Sequence, residues 1–176
     1  KIPFFEPGLE EMMERNILAN RLKFFILDEA PLDDYKAIFV AVGTPDDGSG
    51  KTDLSQVKNA VTHIINNVTS PKIIVIRSTV PTGTCEFLQS EINNSGLKHF
   101  VCSNPEFTKE GDAINDFLNP DRVVVGGPDL NEIKDFFISL YSAYTQRDNI
   151  LFMSTQSSEL TKYSSNAFLA TRISFI

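Results

Sequence analysis

The chain has 176 residues, of which 41% are hydrophobic and 22% charged, and 16 basic against 23 acidic residues give it a formal net charge of −7. The length suits one domain with a sizeable core, and this apolar content argues against a disordered chain. The acidic balance disfavours a nucleic-acid partner, which needs clustered Lys and Arg, and no apolar run approaches the roughly 20 residues of a membrane helix, whereas a small anionic ligand needs only a few local donors.

In chain order, residues 7–19 read as a helix. Pro7 suits its first turn, and Leu9, Met12, Met13 and Ile17 share a face. Residues 22–27 form a short strand candidate, followed by a polar loop around Pro31. Residues 35–42 (YKAIFVAV) are apolar almost without alternation, as a strand covered on both faces is. That strand runs into Gly43-Thr44-Pro45 and an acidic loop, with Asp53 as the expected N-cap of a helix carrying Leu54, Val57, Val61, Ile64, Ile65 and Val68.

Residues 72–76 predict a second covered strand, ending in Arg77-Ser78-Thr79-Val80-Pro81-Thr82-Gly83-Thr84. A helix follows to about residue 93 and breaks at Asn94-Ser95-Gly96. Residues 99–102 form a third strand, spilling into Ser103-Asn104-Pro105-Glu106-Phe107-Thr108-Lys109-Glu110-Gly111. A strand is expected at 122–125, a helix at 129–144, a strand at 149–153 and a helix from 157 onward. Short strands alternating with helices mean an α/β fold with a mainly parallel sheet. Neither end carries a clear boundary signal, so the sequence reads as a piece of a longer protein.

Consecutive strand ends of a parallel sheet open on one edge, where such folds hold ligands. Gly43 to Pro45, Ser78-Thr79 and the loop from Asn104 to Gly111 all fall there. Thr44, Ser78 and Thr79 can serve a ligand or simply cap loops. Glu106 and Glu110 follow a buried strand directly, and a carboxyl group so placed can act as general acid and base. On the last helix Glu159, Lys162 and Asn166 are candidates. Lys162 and Asn166 are spaced i, i+4 on one face, suited to stabilising a developing oxyanion. Asp112, Asp116 and Asp121 read as capping or loop residues, and no metal-ligand spacing is found. Cys85 and Cys102 make no metal or disulfide pattern, so a reducing, cytoplasmic compartment is expected.

The ordered set Phe5-Glu6-Pro7-Gly8-Leu9, Val40-Ala41-Val42-Gly43-Thr44-Pro45, Asp53-Leu54-Ser55, Arg77 to Thr84, Ser103 to Phe107, Lys109-Glu110-Gly111-Asp112-Ala113, Asp116-Phe117, Pro120 to Gly126 and Glu159 to Tyr163 with Asn166 to Phe175 resembles the nucleotide-sugar dehydrogenases, and within them the UDP-glucose branch. The resemblance implies a Rossmann-like, mainly parallel sheet with flanking helices, followed by the start of a long central helix. It divides the chain into residues 1–154, part of an NAD-binding domain, and 155–176, the start of a dimerisation helix.

It also implies four-electron oxidation of a UDP-sugar substrate through a cysteine thioester, with two NAD molecules reduced by a homodimeric full-length protein. Thr79, Glu106, Lys162 and Asn166 are the implied catalytic residues: Thr79 for water, Glu106 for acid and base, Lys162 and Asn166 for the oxyanion. Val42, Gly43, Thr44, Pro45 and Asp46, with Ser78, Thr79 and Val80, would line the NAD site, and Glu110 would lie between cofactor and substrate. Glu106, Phe107, Thr108, Lys109, Glu110, Lys162 and Asn166 would line the sugar-nucleotide pocket.

Two family features are missing from this sequence: the Gly-rich turn of the opening strand, which cradles the pyrophosphate, and the Gly-rich segment with the nucleophilic cysteine. The expectation is that this polypeptide alone does not turn over. The alternatives are the GDP-mannose and UDP-N-acetylhexosamine branches, or a non-catalytic nucleotide-binding module.

Overall fold

The computed structural model describes residues 5–94 and 96–176. Lys1, and Ser95 in the expected helix break, lie outside them. Five strands make one sheet in the order β1 (Ala37–Val40), β2 (Ile73–Ile76), β3 (Phe100–Ser103), β4 (Val123–Gly126) and β5 (Ile150–Met153). β1, β2 and β3 are mutually parallel, and β4 is parallel to β5. The two groups meet antiparallel, through the pair Ser103 and Gly126. The mainly parallel sheet expected from the sequence is thus present, with one reversal. The link from β3 to β4 holds a six-residue helix, α4 (Ala113–Leu118), with no buried residue. It does not pack back on the sheet as a parallel crossover requires, so the chain returns in the opposite direction.

The other helices are α1 (Leu9–Leu18), α2 (Ser55–Asn67), α3 (Thr84–Asn93), α5 (Asn131–Tyr141) and α6 (Thr155–Phe175). The near-continuous apolar strands are explained by cover on both faces. Ile74 and Ile76 of β2 pack with Val57, Val61 and Ile64 of α2 and with Leu88 and Ile92 of α3. Ile73 and Val75, pointing the other way, pack with Ile133, Phe137 and Tyr141 of α5. Successive strand residues serve opposite cores, as the two-residue period dictates.

Several elements differ from expectation. Residues 22–27 form no strand. β1, at the edge of the sheet, is paired with β2 among the described residues, and residues 22–27 do not add to its free side; Phe24 and Ile26 stand exposed, and a 3-10 turn begins at Leu27. α4 spans six residues, too few to show a helical period in the sequence. Asp53 lies one residue outside the cap of α2, which is Leu54, and still accepts from Ser55 N at 2.8 Å. α1 starts after Gly8, in the left-handed conformation at φ 80, rather than at Pro7. α5 is shorter than 129–144, and α6 starts two residues earlier than read, where the Ser154 side chain accepts from Ser157 N. No helix among the described residues is long and apolar enough to cross a membrane.

Candidate active site

Arg77 and Asn104 each stand one residue past a paired strand, β2 and β3, whose last partners are Ile76 and Ser103. They are therefore neighbours at the carboxyl edge. Asn104 is fully buried. Its Nδ2 donates to Val124 O at 2.8 Å, while its Oδ1 accepts from Arg77 Nη1 at 3.0 Å and from the Tyr141 hydroxyl at 2.5 Å. Arg77 Nη1 is also 3.0 Å from Asn104 O. Every polar atom of this buried amide side chain is thus engaged, as burial demands. The Tyr141 hydroxyl titrates above its ordinary range because it is buried; Arg77 and Asn104 pull the other way.

Glu106 lies two residues further on, half exposed, with Oε2 3.8 Å from Arg77 Nε. Lys162 approaches from α6. Its ammonium lies 5.2 Å from the centre of the Phe107 ring, and the Arg122 guanidinium lies 5.1 Å from the same ring. Burial holds the Lys162 amine below the ordinary lysine range, Arg77 adds to that, and Glu106 opposes it. Arg77 thus lies beside Glu106, and Lys162 lies over the ring of the next residue, Phe107. Beside them opens a cleft of about 300 Å³, lined among others by Arg77, Asn104, Glu106, Phe107, Thr108 and Tyr141.

The structure thus brings Glu106, Phe107, Thr108 and Lys162 together. Lys109 turns to α4 instead: its ammonium is 3.2 Å from Asp116 and 3.5 Å from Asp112, and hydrogen bonding to Asp116 raises its pKa. Asp116, inside α4, also accepts from Lys109 N at 2.9 Å, a loop contact rather than a cap. Glu110 is exposed, as is Asn166, one turn beyond Lys162 on α6. Glu159 does not join the cleft. It is buried, and its carboxylate accepts from Gly83 N at 2.7 Å and Cys85 N at 2.8 Å, at the head of α3.

A second feature adjoins the first. The loops after β1 and β2 are stapled into one ledge: the Ser78 hydroxyl donates to Val42 O at 2.7 Å, and the Thr44 hydroxyl donates to Thr79 O at 2.8 Å. The two hydroxyls hold the loops together, while Gly43 and Pro45 remain exposed. Thr52, closing the acidic loop, reaches the Tyr163 hydroxyl at 3.1 Å and ties the ledge to α6. Carboxylates bond amides where the helices after the ledge strands begin: Asp53 accepts from Ser55 N at α2, and Glu159 from Gly83 N and Cys85 N at α3.

Arg77, Tyr141 and the capping role of Glu159 were not singled out from the sequence. Tyr141 carried a signal: it ends the buried stripe Ile133 and Phe137 of α5, and a buried tyrosine hydroxyl needs a partner.

An open, mostly parallel sheet with helices on both faces, and a polar cleft beside a stapled ledge at its carboxyl edge, defines a Rossmann-like dinucleotide-binding domain. Residues 1–145 match the UDP-glucose/GDP-mannose dehydrogenase family, NAD binding domain. The chain belongs to that family. It is similar to a UDP-glucose 6-dehydrogenase of Rickettsia conorii, 39% identical over 177 residues that cover 99% of this chain and 40% of that protein. Among solved structures it is similar to a UDP-glucose dehydrogenase of Pyrobaculum islandicum, with a TM-score of 0.91 at 38% identity over 99% of this chain and 41% of the other. A ternary complex of a GDP-mannose dehydrogenase from Pseudomonas aeruginosa gives a TM-score of 0.89 at 30% identity, covering 99% of this chain and 42% of that one. The chain thus spans about 40% of the length of the curated relatives it matches.

The family makes NAD the cofactor, and the residues present fit part of it. The ledge adjoins the cleft through Arg77, two residues before Thr79 and 3.8 Å from Glu106.

Proposed function

We propose that this chain supplies the cofactor ledge and the acid/base cleft of an NAD-dependent UDP-glucose 6-dehydrogenase, which oxidises the sugar's primary alcohol to a carboxylate in UDP-glucuronate. In the full reaction two hydrides leave the carbon and one water oxygen enters it. NAD, held along Val42 to Pro45 and Ser78 to Thr79, supplies the hydride acceptor. Glu106 takes the alcohol proton and later serves the hydrolytic step. Lys162 and Asn166 stabilise the oxyanion, Thr79 orients the water, and Phe107 to Glu110 line the sugar pocket, with Glu110 toward the cofactor. Residues 1–154 are part of the NAD-binding domain, and 155–176 begin a helix that joins two copies in a homodimer of the full-length protein.

The observation that carries this reading is the Lys162 ammonium 5.2 Å from the ring of Phe107, the residue next to Glu106, from two segments far apart in sequence. Both relatives named for UDP-glucose, at 38–39% identity, favour that sugar over GDP-mannose at 30%. This polypeptide by itself does not turn over, because neither of its cysteines is placed as a nucleophile: both are buried, and burial pushes Cys102 up to about 12.

The test is NADH production by the full-length protein with UDP-glucose, GDP-mannose and a UDP-N-acetylhexosamine, alongside the 176-residue chain. Turnover of UDP-glucose by the full-length protein alone is expected. Preference for another sugar would move the substrate assignment, and turnover by the short chain would refute its dependence on the rest.

A further inference from the structure

We propose that Arg77 is the positioning residue of this site: its guanidinium, clamped from below by Asn104 and Tyr141, holds the Glu106 carboxylate over the cleft toward Lys162. The proposal rests on the reading of Glu106 as the acid and base.

Glu106 sits on a loop with its side chain about half exposed, at 52%, against 17% for Arg77. A glutamate so exposed samples several rotamers unless something fixes it. Arg77 Nε, 3.8 Å from Oε2, provides that anchor. The anchor is rigid because its other end is committed: Nη1 donates to both the backbone and side-chain oxygens of Asn104. Asn104 is in turn fixed by Val124 O on β4 and the Tyr141 hydroxyl on α5. The clamp thus spans β2, β3, β4 and α5, the rigid centre of the sheet, and delivers that rigidity to one loop carboxylate.

The planar fork matters. Arginine presents donors in several directions at once, so one edge can serve Asn104 while Nε faces a carboxylate. A lysine has a single ammonium and cannot hold both. Of the other charged groups lining the cleft, Arg122 stacks on Phe107, Asp116 is paired with Lys109, and Asp121 stands beside Arg122 in sequence. Lys162 lies over the ring of Phe107, the residue after Glu106, and its amine responds to Arg77 and Glu106 with opposite signs. The two cations thus have unlike duties: Arg77 is fixed by Asn104 and contacts the carboxylate, and Lys162 rests on the neighbouring ring.

The test is a double-mutant cycle in the full-length protein, assayed with NAD and whichever of UDP-glucose and GDP-mannose the wild type oxidises. Arg77→Met is expected to lower kcat about 10²-fold, the scale of a misplaced reacting group, with KM for NAD little changed. Because Arg77 acts through Glu106, adding Arg77→Met to Glu106→Gln should cost nothing further. Losses that multiply, or wild-type kcat in Arg77→Met beside a dead Glu106→Gln, would overturn the proposal alone. Wild-type turnover by Glu106→Gln would remove the acid/base reading and the proposal with it. If Arg77→Met does not fold, Arg77→Lys carries the same cycle: it keeps the charge and loses the fork. A loss of about tenfold is then expected, and unchanged kcat would refute the clamp.

Discussion

The carboxylate of Glu159, in the first turns of α6, lies 2.8 Å from the backbone nitrogen of Cys85 in the first turn of α3. It also accepts from Gly83 N, so one side chain satisfies two amides that α3 leaves open. The contact joins the helix carrying Lys162 to the helix that follows the Thr79 ledge.

Glu159→Ala strands both amides in a buried place and is expected to cost about 3 kcal/mol, from roughly 1–3 for each unsatisfied group. Glu159→Gln, keeping one acceptor oxygen, should cost about half as much. Denaturant midpoints at constant m-value measure both. Equal stability of all three proteins would show that the cap carries no weight.

Gly126 is the second tight junction of α6. A Cβ there would come within 2.6 Å of the Ser158 side chain and 2.8 Å of Ser154 O. Ser158 in turn donates to the Ser103 hydroxyl at 2.9 Å, across the seam where the sheet reverses. Gly126→Ala must push α6 off β4, and is expected to destabilise by about 3 kcal/mol, at the upper end of overpacking costs. Gly43→Ala supplies a control, since a Cβ there meets only the Gln56 side chain, at 3.6 Å. A loss there as large as at Gly126 would show that close packing against α6 is not the cause.

The titration of Lys162 supplies a test of sign. Burial comes first in lowering its pKa, Arg77 lowers it further, and Glu106 raises it. Arg77→Met should therefore move the Lys162 titration to higher pH and Glu106→Gln to lower pH, as followed by NMR of the side-chain methylene next to the amine. For stability the sign is also fixed. The folded state holds the proton less tightly than the unfolded one, whose value is near 10.5. The ammonium is then a cost at all pH below the folded value, fading as pH rises toward the unfolded one. Lys162→Met is expected to raise the melting temperature at neutral pH while removing function.

Both cysteines should resist modification in the folded chain. Burial raises the Cys85 thiol, with the nearby Glu159 carboxylate adding to it, and pushes Cys102 up to about 12. A thiol-disulfide reagent at pH 7 is expected to label neither until denaturant is added, because the thiolate is the reactive form. Prompt labelling of the native protein would contradict the buried placement.

The covered strands were legible because Ile73 to Ile76 offer no alternation to misread, and the site loop because Asn104 and Glu106 follow a buried strand directly. What the sequence hid was partnership. Residues 22–27 look like a strand by composition, yet strand formation needs a neighbour to pair with. Glu159 looks like a companion of Lys162 by its i, i+3 spacing, yet its carboxylate is taken by the Gly83 and Cys85 amides at the head of α3. Thr44 and Ser78 looked available to a ligand, and the backbone of the opposite loop uses both. Long-range hydrogen bonds of this kind leave no periodic trace.

Glu6 accepts from Gly111 N at 2.9 Å and Ala113 N at 2.8 Å, so a residue near the start of the sequence fastens the far end of the Glu106 loop. Anyone trimming this protein for expression should count that fastening in. A shorter version beginning beyond position 6 would keep every strand and helix described above, would pass inspection by circular dichroism, and would nonetheless leave the acid-bearing loop untethered at one end.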